Sequence, residues 1–124
     1  MSRTILIVDD HVDIRRLIRM TLEFEDYQIH EAADGPSALQ LARDLLPDVV
    51  LLDVMMSGGL SGLEVCRELK NDPRCAGMQV ILLSARSQAS DRAAGLEAGA
   101  DAYMVKPFSP MQLIEHLAGL DFPN

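Results

Sequence analysis

Apolar runs and amphipathic stretches alternate along this chain from one end to the other. Residues 4–8 (Thr4, Ile5, Leu6, Ile7, Val8) form an apolar run that stops at Asp9-Asp10, the pattern of a strand buried on both faces. Ile14, Leu17, Ile18 and Leu22 then recur at helical spacing with Arg15, Arg16, Arg19 and Glu23 opposite, which predicts an amphipathic helix. The alternation repeats. Residues 28–32 read as a weaker strand, and Asp34-Gly35-Pro36 opens a helix that carries Ala38, Leu39, Ala42 and Leu45 inward until Pro47 closes it. Residues 49–53 are a second strongly apolar strand, followed by a Gly-rich segment over 57–62. Ser61 and Glu64 then form a capping box for a helix through Lys70. A fourth strand is expected over 79–84, a short helix over 90–98 stopped by Gly99, and a fifth strand over 102–105. Ser109-Pro110-Met111-Gln112 is another capping box, whose helix ends at Gly119.

Five strands, each followed by a helix, fall short of the eight units a closed barrel needs. The expected fold is α/β: a (βα)5 doubly wound, five-stranded parallel sheet, flavodoxin-like, in strand order 2-1-3-4-5. Length and composition agree, since 124 residues, 48% hydrophobic and 24% charged, suit one domain over 1–124 with a substantial core. No stretch approaches the ~20 unbroken apolar residues of a membrane span. The net charge of −8 argues against direct nucleic-acid binding, which draws on clustered Lys and Arg. No basic segment leading into an apolar one precedes the first strand, so a cytoplasmic address is expected. Cys66 and Cys75 lack a second Cys pair or a nearby His and read as two reduced thiols.

In such a sheet, ligands bind beyond the carboxyl ends of the strands, near the point where strand order reverses. Those ends carry Asp9 and Asp10, Asp53, Ser84 and Lys106. Three carboxylates ~5 Å apart repel by roughly 3 kcal/mol per pair at an effective dielectric of about 20, more than one lysine cancels. A hard divalent cation with oxygen ligands meets that need, and Mg2+ suits two or three carboxylates. The plainer alternative, that these Asp residues end strands in solvated turns, gives no reason for Lys106 to arrive at the same edge.

At these residues the chain resembles the receiver domains of bacterial two-component response regulators, over essentially its whole length. The matching pieces are ILIVDD at 5–10, VVLLDVMM at 49–56, VILLSA at 80–85 and GADAYMVKPF at 99–108. The resemblance implies Asp53 as phosphoacceptor, Asp10 and Asp53 as direct Mg2+ ligands, Asp9 as a ligand through water, and Met55 as a ligand through its carbonyl. It further implies that Ser84 hydrogen-bonds the phosphoryl group, that Lys106 pairs with its oxygens, that Tyr103 is the aromatic switch and that the Lys106-Pro107 peptide is cis. The implied partner is a sensor histidine kinase or phosphotransfer protein, with the output partner or domain unknown. Asp91, Arg92 and Asp101 also look like part of the charge set of dimerising receivers. Ala102 and residues 116–119 lack the rest, so a phosphorylation-dependent homodimer is the weaker alternative.

Two other functions compete. A degenerate, unphosphorylated adaptor is disfavoured by the intact Asp9, Asp10, Asp53, Ser84 and Lys106 set. A flavin protein on the same fold would want a hydroxyl- and glycine-rich phosphate cradle where this chain has Asp9-Asp10-His11-Val12-Asp13, and no P-loop motif is present. Receivers usually carry Pro four residues past the phosphoacceptor and Gly eight past it. Here Ser57 stands at the first place and Gly62 at nine, which reads as a one-residue insertion and a mobile loop whose ordering is coupled to metal. His11, His30 and His116 are expected at the surface or partly packed. Met55, Met56, Met78, Met104 and Met111 are expected as core filler, and Arg15, Arg16 and Arg19 as a solvated basic face.

Overall fold

The computed structural model describes residues 3–56 and 59–120. Its elements run β1 (Arg3–Val8), α1 (Val12–Leu22), β2 (Tyr27–Ala32), α2 (Gly35–Leu45), β3 (Val49–Asp53), α3 (Gly62–Asn71), β4 (Gln79–Ser84), α4 (Ala89–Glu97), β5 (Ala102–Val105) and α5 (Pro110–Ala118). The strands form one parallel sheet in the order β2-β1-β3-β4-β5.

The apolar runs exist because the central strands are covered on both faces. Ile5, Ile7, Val49, Leu51, Ile81 and Leu83 meet Ile18 and Leu22 of α1 and Leu113 and Leu117 of α5. The alternate residues Leu6, Val8, Val50, Leu52, Val80 and Leu82 meet Ala38, Leu39 and Ala42 of α2 and Val65, Cys66 and Leu69 of α3. Each fully buried Leu or Ile contributes about 1.5–3 kcal/mol, so neither face tolerates a polar residue until the strands end. Along β1, β3 and β4 polar side chains are thereby confined to the strand ends, and Asp53 and Ser84 stand at the ends where the site forms.

Helix starts follow the sequence signals. Asp34 Oδ1 accepts from Ser37 N at 2.8 Å, and both Ser61/Glu64 and Ser109/Gln112 close reciprocal capping boxes. At α4, Asp91 Oδ2 accepts from the Gln88 backbone N–H at 3.3 Å, a cap not expected from the sequence. Gly95 of α4 packs so near Leu82 and Tyr103 that a Cβ there would lie 3.0 Å from each. Among the described residues, no helix is long and apolar enough to cross a membrane.

Three expectations need correction. Leu17 is exposed, because α1 meets the sheet through the narrower stripe of Ile14, Ile18 and Leu22. Met55 and Met111 are also exposed rather than core filler; Met55 follows the end of β3 and Met111 lies in the first turn of α5, both outside the sandwiched layers. Met78 is buried, and Met56 and Met104 pack partly against the two cores. Arg16 and Arg19 are exposed as expected, but Arg15 is not part of a solvated face: its side chain is drawn against Glu31 on β2, which Arg19 also pairs with from the solvent side. Cys66 and Cys75 are free thiols in the core, and burial pushes the Cys66 thiol up to about 11. The expected one-residue insertion falls partly on Ser57 and Gly58, which lie outside the described residues.

Candidate functional site

Beyond the carboxyl ends of β1, β3 and β5, three charged side chains meet. Lys106 follows β5 and places its Nζ 2.8 Å from Asp9 Oδ2 and 3.1 Å from Asp53 Oδ1. Asp9 is fully buried and Asp53 is 3% exposed, so the ion pairs form where Coulomb forces are poorly screened. Burial raises the Asp53 pKa first, Asp9 raises it further, and Lys106 only partly offsets the two. Burial works against the Lys106 ammonium as well, but Asp9 and Asp53 together outweigh it and hold its pKa above the ordinary lysine value.

Asp9 is fixed on all sides. Its backbone N–H donates to Ala32 O of β2 at 3.2 Å, and its Oδ1 accepts from the His11 backbone N–H at 2.9 Å. Its carbonyl accepts from Arg15 Nη1 at 2.7 Å. Arg15 is oriented in turn by Glu31, which also takes Arg19 at 2.6 Å and whose own carboxyl these two guanidiniums, working against burial, hold below the usual range. Asp10 is the more accessible acid, its side chain 22% exposed.

Gly62 N–H donates to Val54 O at 2.9 Å, closing the loop at its base. A Cβ on Gly62 would stand 2.2 Å from the Asp53 carbonyl oxygen, so only glycine lets α3 start this close to β3. The glycine at nine thus fits a close approach directly behind Asp53.

Ser84 is buried at the end of β4, one position past Leu83, which pairs with Asp53 in register; its Oγ accepts from Arg86 N at 3.1 Å. Tyr103 lies on β5 with its ring half-buried and its hydroxyl donating to Arg86 O at 2.9 Å. Its ring lines a cleft of about 180 Å3 with Val54, Met55, Arg86 and Asp91. The Met55 side chain points into neither core and is exposed. The Lys106-Pro107 peptide is cis.

Two residues to which the sequence assigned no site role, His11 and Arg15, stand against the acids. His11 places Nδ1 3.1 Å from Asp9 Oδ1 and 3.0 Å from Asp10 Oδ1. Arg15 clamps the Asp9 carbonyl from within the first turns of α1. A signal for Arg15 existed, since Glu31 is a lone acid on β2 in register with Ile7, just before the acidic end of β1. One ligating atom from each of Asp9, Asp10, His11 and Asp53 lie within 4.8 Å of one another. Three carboxylates at that spacing are a donor set suited to a hard divalent cation.

A family model described as "Response regulator receiver domain" matches residues 5–118. The chain is 42% identical over 120 residues to response regulator PleD of Caulobacter vibrioides, covering 97% of this chain and 26% of that protein. It is 40% identical over 117 residues to the phosphate regulon transcriptional regulatory protein PhoB of Escherichia coli, covering 94% of this chain and 51% of PhoB. The chain therefore spans about a quarter to a half of these curated relatives. Among solved structures, the chemotaxis response regulator CheY4 of Vibrio cholerae superposes with a TM-score of 0.90 at 29% identity, covering 95% of this chain and 98% of that one.

Proposed function

The chain belongs to the response regulator receiver domain family, and from that premise we propose that Asp53 accepts a phosphoryl group from a sensor histidine kinase or phosphotransfer protein. Residues 1–124 act as one receiver unit in this reading, and the added charge alters the face presented to an output partner. The observation that carries it is the convergence of Asp9, Asp53 and Lys106, from three separate strands, at 2.8 and 3.1 Å.

Asp53 attacks phosphorus with the carboxylate oxygen that Lys106 does not hold. The new O–P bond forms as the donor's bond to phosphorus breaks, and the leaving group departs with that bond's electron pair. Water later cleaves the acyl phosphate and restores the carboxylate. Lys106 follows the phosphoryl oxygens as negative charge moves onto them, and the Ser84 hydroxyl donates one hydrogen bond to them. The donor set fits Mg2+: Asp10 and Asp53 would hold it directly, Asp9 through water and Met55 through its carbonyl. What Mg2+ supplies when bound is positive charge beside the transferring phosphoryl group.

The electrostatics favour the switch as well. A phosphoryl group on Asp53 brings strong acceptors to this edge, so a state with Ser84 drawn toward it gains free energy relative to the one described. Space left behind Ser84 draws Tyr103 inward, away from Arg86 O. Beside the pocket, an apolar cleft of about 350 Å3 between Ile14, Leu17 and Phe108, with Met20 exposed farther along α1, offers a protein phosphodonor a place to rest.

Acetyl phosphate with Mg2+ tests the reading. Intact-mass spectrometry is expected to show one added phosphoryl group, absent from Asp53→Asn. A shift that persists in Asp53→Asn, or none in the unmodified protein, defeats it.

A further inference from the structure

His11 is held at the entrance to α1 by its own backbone. Its N–H is fixed to Asp9 Oδ1 at 2.9 Å, and its carbonyl accepts from Arg15 N at 3.2 Å. From that anchor the ring turns back over the acids, with Nδ1 3.1 Å from Asp9 Oδ1 and 3.0 Å from Asp10 Oδ1. One ligating atom from each of Asp9, Asp10, His11 and Asp53 lie within 4.8 Å of one another. Ligands ~2.1 Å from a shared octahedral centre stand ~3.0 Å apart in cis and ~4.2 Å in trans, so the spacing of these atoms brings the His11 ring within reach of a cation held by the acids.

Of these four donors only His11 offers nitrogen. Mg2+ prefers oxygen ligands and gains little from imidazole, whereas Ni2+, Cu2+ and Zn2+ gain a great deal. The His11 side chain is 66% exposed, so its ring can turn from the carboxylates onto an ion without disturbing either core. Resting on the reading of Asp9, Asp10 and Asp53 as a divalent-cation site, we infer that His11 is an additional ligand, making the pocket a tight site for imidazole-preferring divalent ions as well as for Mg2+. The pocket then responds to which metal is available, because a transition ion held by His11 displaces Mg2+ from beside Asp53.

A purely electrostatic role for His11 would alter the affinity of every divalent ion alike, and a ligand role would not. The test is calorimetric titration of tag-free protein with NiCl2 and with MgCl2, repeated for His11→Asn and Asp10→Asn. His11→Asn is expected to weaken Ni2+ binding by on the order of tenfold or more while changing Mg2+ affinity by about twofold at most. Asp10→Asn is expected to weaken both, which locates Ni2+ in the pocket rather than at His30 or His116. Added Co2+ should shift the ring protons of His11 far outside the diamagnetic range of the NMR spectrum. Unchanged Ni2+ affinity in His11→Asn, equal losses for the two metals, or Ni2+ binding that survives Asp10→Asn would each overturn the inference. No Mg2+ binding by the unmodified protein would instead overturn the divalent-cation reading beneath it, and the inference with it.

Discussion

Lys106 and Asp53 influence stability in opposite directions, although each is a partner of the other. Without Lys106, Asp9 and Asp53 are two buried carboxylates facing each other. Breaking a buried pair on one side typically costs 3–5 kcal/mol, and Lys106→Met is expected to lose about 3 kcal/mol in urea unfolding at neutral pH. Asp53 behaves differently, because its raised pKa means the folded state holds this proton more tightly than the unfolded one. Its contribution to stability is greatest below the ordinary carboxylate range and falls as pH rises through the raised folded value. Asp53→Asn is therefore expected to leave the metal-free protein at pH 7 as stable as before, or more so. A loss on the Lys106→Met scale would show that Asp53 is structural. The acids and Lys106 were legible in the sequence because each ends an apolar run. His11 was not, because hydrophobic periodicity carries no information about a ring that folds back on its own neighbours.

At the level of elements, two joints hold the pocket's shape. The first is the start of α3, where Gly62 touches the backbone of Asp53 and Val54. A methyl group there meets main chain that cannot give way, and Gly62→Ala is expected to cost about 2–3 kcal/mol in thermal or urea unfolding. The second joint ties α1 to β2 through Glu31, Arg15 and Arg19. Glu31 has a lowered pKa, so its contribution is present above the unfolded glutamate value and fades as pH falls through the still lower folded value. Glu31→Gln is expected to lose about 1 kcal/mol at pH 7, with the difference from the unmodified protein shrinking as pH falls below the ordinary glutamate value of about 4.3. A difference independent of pH would point to packing instead. Strand and helix bounds were readable to within a few residues from apolar runs and capping boxes. The clamp was harder to read: Glu31 on β2 was its signal, but α1 by itself showed only that Arg15 and Arg19 lie opposite its apolar stripe. Leu17 misled for a related reason: the period of a helix identifies an apolar stripe but not how much of it a neighbouring layer covers.

Across the whole molecule, the charges that a homodimer through α4, β5 and α5 would draw on are already engaged within the chain. Asp101 accepts from Lys70 Nζ at 2.7 Å and from Val80 N at 2.8 Å, Asp91 closes the α4 cap, and Arg92 lies over the Tyr103 ring. Two copies each carrying −8 also repel. Light scattering with Mg2+ and beryllium fluoride is expected to give the monomer mass, and a doubled mass would mean that the activated face releases these charges. The doubly wound parallel sheet was foreseeable from alternating strands and helices with right-handed crossovers, whereas the state of this face depends on side-chain pairings that no periodicity encodes. The bond from Lys106 to Asp9 joins residues 97 positions apart. At a synthesis rate of ~5–20 residues per second, roughly 5–20 s separate the appearance of the acid from that of its counter-charge during translation. A nascent chain that has already made β1 to β4 still carries two acids with nothing to neutralise them. On the proposed function, phosphoryl acceptance is thus withheld from incomplete chains, and a chain that stops before β5 is expected to take up no phosphoryl group from acetyl phosphate.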